Sequence, residues 1–437
     1  MMQKQKFIAF AFILLASIAF PGCNLLPVDQ NIQASHTPTK FQIATTTPTA
    51  EMAEQPETEL TRSVLMDRVI IWVPPEFNPS GSNSRSLLQQ QLDSFTQDHP
   101  GVEIDVRVKE SNGPAGILSS LEKTLAIAPR VAPSLVLMTH NDLEIAAMRT
   151  LIQSPPSLQS MLEEDDWYDY ARELALFQNK YYGLPFTADA MILAVRSNDI
   201  KPLTENWELF LSADHPLLFP AVDPQALFTV NLYLSAGGTL YDEQNKPYLD
   251  AETLKKVLEF YAAAVESGSI LPNVMDYSND EQVWIAFDEK STDQAVCWMS
   301  DYFSQESPDV LGLIIPPLEN EPVTIVSGWV WALADPFPER MELDLELMQH
   351  LTDVDFQAKW TASTGYLPVR PSNLSEGDNP VRTALLSQAT ISAVSQPSNE
   401  ILSLLGPVLN EAVYDVIIKQ AQPSEAARLA AEKINAD

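Results

Sequence analysis

Apolar residues recur along this chain in two alternating rhythms. Val69-Ile70-Ile71-Trp72-Val73 is a continuous apolar run stopped by Pro74-Pro75, the pattern of a buried strand. Between residues 86 and 97, Leu87, Leu88, Leu92 and Phe95 fall on one helical face, and His99-Pro100-Gly101 ends that helix. Residues 102–108 alternate with period two, as a half-buried strand does. A helix over 116–126 then leads to a second continuous strand at Ser134-Leu135-Val136-Leu137-Met138. Strand, helix, strand, helix, strand is the α/β signature, with a parallel sheet covered on both faces. Ligands bind such sheets beyond the carboxyl ends of the strands. Those ends are Trp72 and Thr139-His140-Asn141-Asp142.

The middle of the chain carries the segment 181–199, YYGLPFTADAMILAVRSND. Its Gly183 and Pro185 read as a turn, followed by a buried strand at Met191-Ile192-Leu193-Ala194-Val195. With α/β signals on both sides, it is a candidate crossing between two domains. Beyond it, Asn206–Phe210 reads as an amphipathic turn of helix, and a longer helical region ends at Leu234-Ser235-Ala236-Gly237-Gly238. Asp250 caps a helix whose Leu254, Val257, Leu258, Tyr261 and Val265 share a face, and Gly268 closes it. Residues 283–287 and 295–299 read as a helix end and a strand, and 310–315 as another strand before Pro316-Pro317. Residues 323–326 lead into Ser327-Gly328-Trp329-Val330-Trp331-Ala332-Leu333. The last third is helical, interrupted by the loop at 364–370, and Ser424 with Glu425 caps a final helix.

Composition adds three constraints. At 437 residues the chain exceeds one ordinary core, so two domains are expected. With 26 Lys+Arg against 59 Asp+Glu, the net charge is −33, which repels phosphate backbones and excludes a nucleic-acid partner. At the N-terminus, Lys4 and Lys6 precede an apolar run over 7–20 with the length of a signal-peptide core. It ends at Phe20-Pro21-Gly22-Cys23, which resembles a bacterial lipobox; the other reading is an ordinary signal peptide with an incidental cysteine. Residues 1–22 are accordingly read as a leader and Cys23 as the lipidated first residue of an exported chain. Residues 23–63, rich in Pro, Thr, Gln and Glu, form a disordered tether with a reach of roughly 35 Å. Cys297, the other cysteine, lies in an apolar strand-like run and reads as a buried inert thiol.

Catalytic signatures are missing. None of the 14 glycines has nucleophile-elbow, dinucleotide or phosphate-loop spacing, and the five histidines are scattered, so neither a cofactor nor a metal is expected. Aromatic residues near strand ends and loops stand out instead: Trp72, Phe186, Phe228, Trp298, Tyr302, Trp329, Trp331 and Tyr366. Aromatic faces cover the C–H faces of sugar rings while Asp, Asn, Ser and Thr bond the hydroxyls. The same rings could equally be core, and for Trp298 and Trp331, flanked by apolar residues, core is the preferred reading.

Several stretches in order resemble the extracellular solute-binding proteins of ABC importers, in their maltose-binding-protein-like, sugar-binding branch. The stretches are Tyr182-Gly183-Leu184-Pro185-Phe186 with Leu193-Ala194-Val195-Arg196-Ser197, Asn206-Trp207-Glu208, residues 234–238 with the following helix, Ser327–Leu333, and Thr364-Gly365-Tyr366-Leu367-Pro368-Val369-Arg370. The segment 293–299 departs from the family pattern by lacking its glycine. The resemblance implies a two-lobe α/β periplasmic-binding-protein-like fold, with a first lobe of 64–186 plus 327–374 and a second of 187–326 plus 375–437. Hinge crossings would lie near 185–190, 324–327 and 372–380. It further implies a ligand cleft lined by Trp72, Thr139, His140, Asn141, Phe186, Asp189, Trp329 and Tyr366, opposed by Phe228, Ser300, Asp301 and Tyr302. The implied function is capture of a mono- or oligosaccharide by hinge closure and delivery to ABC permease subunits. The protein would be a monomer on the outer face of the cell membrane, anchored through Cys23, with no catalysis. A ligand-sensing receptor lipoprotein and a surface glycoside hydrolase, whose carboxylate pair needs only spatial proximity, stay open beside it.

Overall fold

A computed structural model describes residues 67–80, 85–196, 207, 210–211, 216–305, 307–319, 321–374 and 379–436. The leader, Cys23 and the tether lie outside the described residues, as do most of the helical turn expected at 206–210 and part of the crossing expected at 372–380.

The strands are β1 (Asp67–Val73), β2 (Val102–Val108), β3 (Leu135–Thr139), β4 (Leu176–Phe177), β5 (Lys180–Tyr181), β6 (Gly183–Arg196), β7 (Leu217–Leu218), β8 (Gln294–Trp298), β9 (Val310–Leu313), β10 (Thr324–Leu333) and β11 (Ala393–Ser395). The main sheet has the order β2-β1-β3-β10-β6-β8-β7, with β11 beside β10 and β9 beside β6. β1 pairs with β2 and β3 in parallel, as the strand–helix alternation predicts. The helix between β1 and β2, Arg85–Asp98, buries Leu88, Leu92 and Phe95 against this sheet. Both helix-end signals around residue 260 are present: Asp250 accepts from the Thr253 amide at 2.8 Å, and Gly268 takes a φ of +78° after helix Ala251–Glu266. The final helix, Pro423–Asn435, starts two residues earlier than a cap at Ser424 implies. Pro423 occupies its first turn, and no side chain caps it, so Ser424 has no capping role.

The largest departure is β6. Gly183 and Pro185 do not form a turn; they begin a 14-residue strand buried almost throughout. Up to Ala190 this strand pairs with β10, and from Met191 it pairs with β8 and β9. One strand thus belongs to both halves of the sheet. Gly183 is required because a Cβ there would stand 2.2 Å from the Trp331 carbonyl oxygen. Pro185 is tolerated because the ladder is already broken beside it. Thr187 opposes Trp329 while Pro185 opposes Val330, which leaves Phe186 as the extra residue of a β-bulge.

The bulge sets carbonyls free, and a buried amide satisfies them. Gln357 Nε2 donates to Pro185 O at 2.9 Å and to Phe186 O at 3.0 Å. Its Oε1 accepts from Arg370 Nε at 2.9 Å, and the Arg370 guanidinium lies 3.5 Å above the Trp167 ring. The loop 364–370 is tied to β6 directly as well: Leu367 and Ala188 exchange both backbone hydrogen bonds, at 2.7 and 3.1 Å.

Replacing Gln357 by Leu would leave two buried carbonyls and one guanidinium N–H without partners. At roughly 1–3 kcal/mol for an unsatisfied buried group, unfolding by urea should show a loss of about 3 kcal/mol or more. A loss below about 1 kcal/mol would mean that the bulge is not held in this way.

Candidate functional site

Cross-strand pairing assembles the site. Ser327 opposes Asp189, Trp329 opposes Thr187 on one side and Thr139 on the other. Directly opposed residues of antiparallel strands project from the same face, and residues two apart share it. Thr139, Trp329, Thr187, Asp189 and Ser327 therefore form one patch on the sheet, at the place where β6 changes partners.

Rings wall one side of this patch. The short helix Pro75–Phe77, just past the end of β1, delivers Phe77. Its ring lies 5.1 Å from Trp329, 5.7 Å from Tyr366, 5.9 Å from Phe186 and 5.7 Å from Trp360, centroid to centroid. Trp329 and Tyr366 meet edge to face at 5.2 Å, and both are only partly buried. Gly365 makes the approach of Tyr366 possible, with a φ of +84° that ends helix Val354–Thr364.

The helix Met299–Ser304, which directly follows β8, also borders this patch. Asp189 reaches across to it: Oδ1 accepts from the Ser300 amide at 3.1 Å and from its neighbour Ala190 N at 2.9 Å, and Oδ2 accepts from Ser300 Oγ at 2.5 Å. Ser300 also interacts with the Tyr366 hydroxyl. Tyr366, Ser300 and Asp189 thus connect the 364–370 loop, the Met299–Ser304 helix and the crossing strand. Beside them, Trp298 Nε1 donates to Asp280 Oδ2 at 3.0 Å.

The electrostatics of this region are acidic. Burial pushes Asp189 up to about 7, against the three hydrogen bonds it accepts, and Asp301 adds to the rise. Burial likewise lifts Asp280 to about 6, with Asp223 and Asp301 adding to it, and Asp301 to about 6, with Glu281 beside it. Tyr366 is pushed up by burial and by Asp189, Glu76 and Asp301. Cys297 is fully enclosed in β8, and burial followed by the carboxylates around it raises its thiol, in keeping with an inert core cysteine.

The structure sorts the expected site residues into two groups. Thr139, Asp189, Ser300, Asp301, Trp329 and Tyr366 come together as described. The others are drawn into packing. Phe186 is 1% exposed among Phe77, Trp331, Phe356 and Trp360. Phe228 is enclosed by Trp207, Phe219 and Tyr261. Neither leaves a ring face open to a ligand. Trp72 is buried beneath Lys109, whose Nζ sits 4.7 Å over the ring. Tyr302 is turned against Gly312 of β9. His140 is buried with Nδ1 2.9 Å from Leu174 O and Nε2 3.6 Å from Glu144. Asn141 accepts through its backbone oxygen from Asn399 at 2.8 Å. Thr139 also caps the helix that follows it, accepting from Asp142 N at 3.3 Å. Sequence reading missed Phe77, Thr187, Ser327 and Asp280. Phe77 had a usable signal, standing two residues past the Pro-Pro stop of a strand whose end was already a candidate.

A carboxyl whose pKa is raised by folding stabilises the protein below its unfolded value near 4, and that contribution is lost as pH rises through the folded value. Asp189 and Asp344, both near 7, and Asp142, Asp280 and Asp301, near 6, act in the same direction. The melting temperature should therefore fall between pH 5 and pH 8, and Asp189→Asn should make that fall shallower. An unchanged pH profile for the variant would show that Asp189 is not the buried titrating group assigned here.

Residues 90–381 match the profile of the bacterial extracellular solute-binding proteins. No curated protein sequence matches the chain. Among solved structures, maltose-bound T. maritima MalE3 is similar at 17% identity and a TM-score of 0.64, over 84% of this chain and 99% of that one. A cyclo/maltodextrin-binding protein complexed with maltotetraose is similar at 17% identity and 0.65, over 85% and 97%. An ABC transporter solute-binding protein from Thermotoga lettingae, bound to α-D-tagatose, is similar at 16% and 0.64, over 85% and 99%. These likenesses share the fold in which a sheet is divided between two lobes, and the profile covers most of the part that builds the patch. The chain belongs to the bacterial extracellular solute-binding protein family.

Proposed function

We propose that this protein captures a saccharide between its two lobes and delivers it to the permease of an ABC importer. The observation that carries this reading is the pair of partly buried rings, Trp329 and Tyr366, set beside Thr139, Asp189 and Ser300 where β6 passes from one half of the sheet to the other. Rings of this kind cover the C–H face of a sugar, and the hydroxyl and carboxyl groups around them bond its hydroxyls. The sugars named for the similar structures support the same class of solute.

Closure would bend the chain where β6 and β10 run between lobes. The change of partners between Ala190 and Met191 supports drawing the lobe boundary in β6 there, close to the crossing expected at 185–190. A ligand touching both sides stabilises the closed form by its differential affinity for that form. Binding and release require no bond to be made or broken, so the protein works without catalysis or cofactor. Export and a lipid on Cys23, with residues 24–63 as tether, would place it on the outer face of the membrane near the permease. Among the described residues no helix is long and apolar enough to cross a membrane.

Titration with a panel of neutral and amino saccharides should give a saturable change in tryptophan emission, and Trp329→Ala should weaken the best ligand about tenfold, the upper part of the range for one aromatic contact. A panel in which no saccharide changes emission or melting temperature would contradict the proposal.

A further inference from the structure

The patch on β6 and β10 holds polar atoms that the protein itself leaves unused. Thr187 is 1% exposed, and among the described residues neither its hydroxyl nor the indole N–H of Trp329 has a hydrogen-bond partner. Thr187 stands across from Trp329 and two residues before Asp189, so strand alternation aims its hydroxyl to the side on which the Asp189 carboxyl lies.

The carboxylates around that patch are unequally occupied. Asp189 accepts three hydrogen bonds and Asp280 holds the Trp298 indole. Glu76 faces the Ser111 hydroxyl. Asp301 acts on Asp189, on Asp280 and on Tyr366, yet its carboxylate accepts no hydrogen bond and joins no ion pair among the described residues. The charges named beside these groups carry their own sign: Glu281 at Asp301, Asp223 and Asp301 at Asp280, and Asp301 at Asp189. Lys109, at the end of β2, is engaged over the Trp72 ring. A neutral sugar closing into this site would cover several carboxylates and bring no opposite charge, which leaves their desolvation uncompensated. A cation removes that cost and is attracted by the faces of Trp329 and Tyr366 as well. The aromatic faces set beside these carboxylates suit an organic cation, whose C–H surface they can cover.

We infer that the captured solute bears a positively charged nitrogen among its hydroxyls, as an amino sugar or an oligosaccharide of amino sugars does, with Asp301 as its counter-ion. This rests on the saccharide reading above and narrows its substrate class. The Thr187 hydroxyl and the Trp329 N–H are left for the ligand's uncharged polar groups.

Isothermal titration of the full-length protein at neutral pH with a glucosamine trimer, its fully N-acetylated counterpart and maltotriose tests the inference. The glucosamine trimer should bind about tenfold or more tighter than either neutral trimer. Asp301→Asn, with its melting temperature checked in the absence of sugar, should erase that preference. Equal or tighter binding of a neutral trimer to the unmodified protein would overturn the inference and leave the saccharide reading standing. Binding of none of the three would overturn the inference, and the saccharide panel above then decides the wider reading. The comparison on the unmodified chain decides the matter even where the variant fails to fold.

Discussion

Everything in this molecule that concerns capture hangs on one strand being shared. β6 is hydrogen-bonded to β10 up to Ala190 and to β8 and β9 from Met191. A strand that serves two half-sheets must be buried along most of its length, and it must also change direction. The bulge at Phe186 provides the change, at the cost of a broken ladder. Buried carbonyls cannot be left bare, so a glutamine on a neighbouring helix answers them, and an arginine from the 364–370 loop fixes the glutamine in turn. The same loop then brings Tyr366 over the strand. The packing demand of the crossing and the construction of the site are one problem with one solution.

That coupling explains why some parts were legible in the sequence and others were not. The β1–β2–β3 unit follows from local periodicity alone, because each element buries a face set by its own residues. Asp250 and Gly268 mark a helix by local chemistry and do so here. Gly183 and Pro185 mislead for the same reason that they usually inform: both are turn residues by local preference. Here a close approach to the Trp331 carbonyl and a bulge override that preference, and neither can be seen without the partner strand. Gln357 is invisible for the same reason, being an ordinary helix residue until the carbonyls it caps are known.

The aromatic residues show the other limit. Composition marks rings as candidates for sugar contact, but a ring's type does not say which way it faces. Phe186 and Phe228 lie buried within aromatic clusters, whereas Trp329 and Tyr366 keep part of their surface and border the polar groups of the patch. The acidity of the chain, read at first only as exclusion of nucleic acid, acquires a local meaning. Carboxylates gather where the crossing strand meets the Met299–Ser304 helix, and burial holds them above their ordinary pKa range. Ionisation of such a site while it is empty costs stability, and a ligand that supplies opposite charge offsets that cost.

The central claim is that β6 and β10 are the flexible connection between two lobes that close on a ligand. Spin labels on cysteines introduced at the exposed positions Glu110 and Asp276, one on each proposed lobe, read that motion directly in a chain with Cys23 replaced by Ser, since Cys297 is buried and will not label. Addition of a saccharide that binds should shift the measured distance distribution to shorter values. An unchanged distribution at saturating ligand would show that binding proceeds without closure, and the account of the crossing strand as a hinge would be wrong.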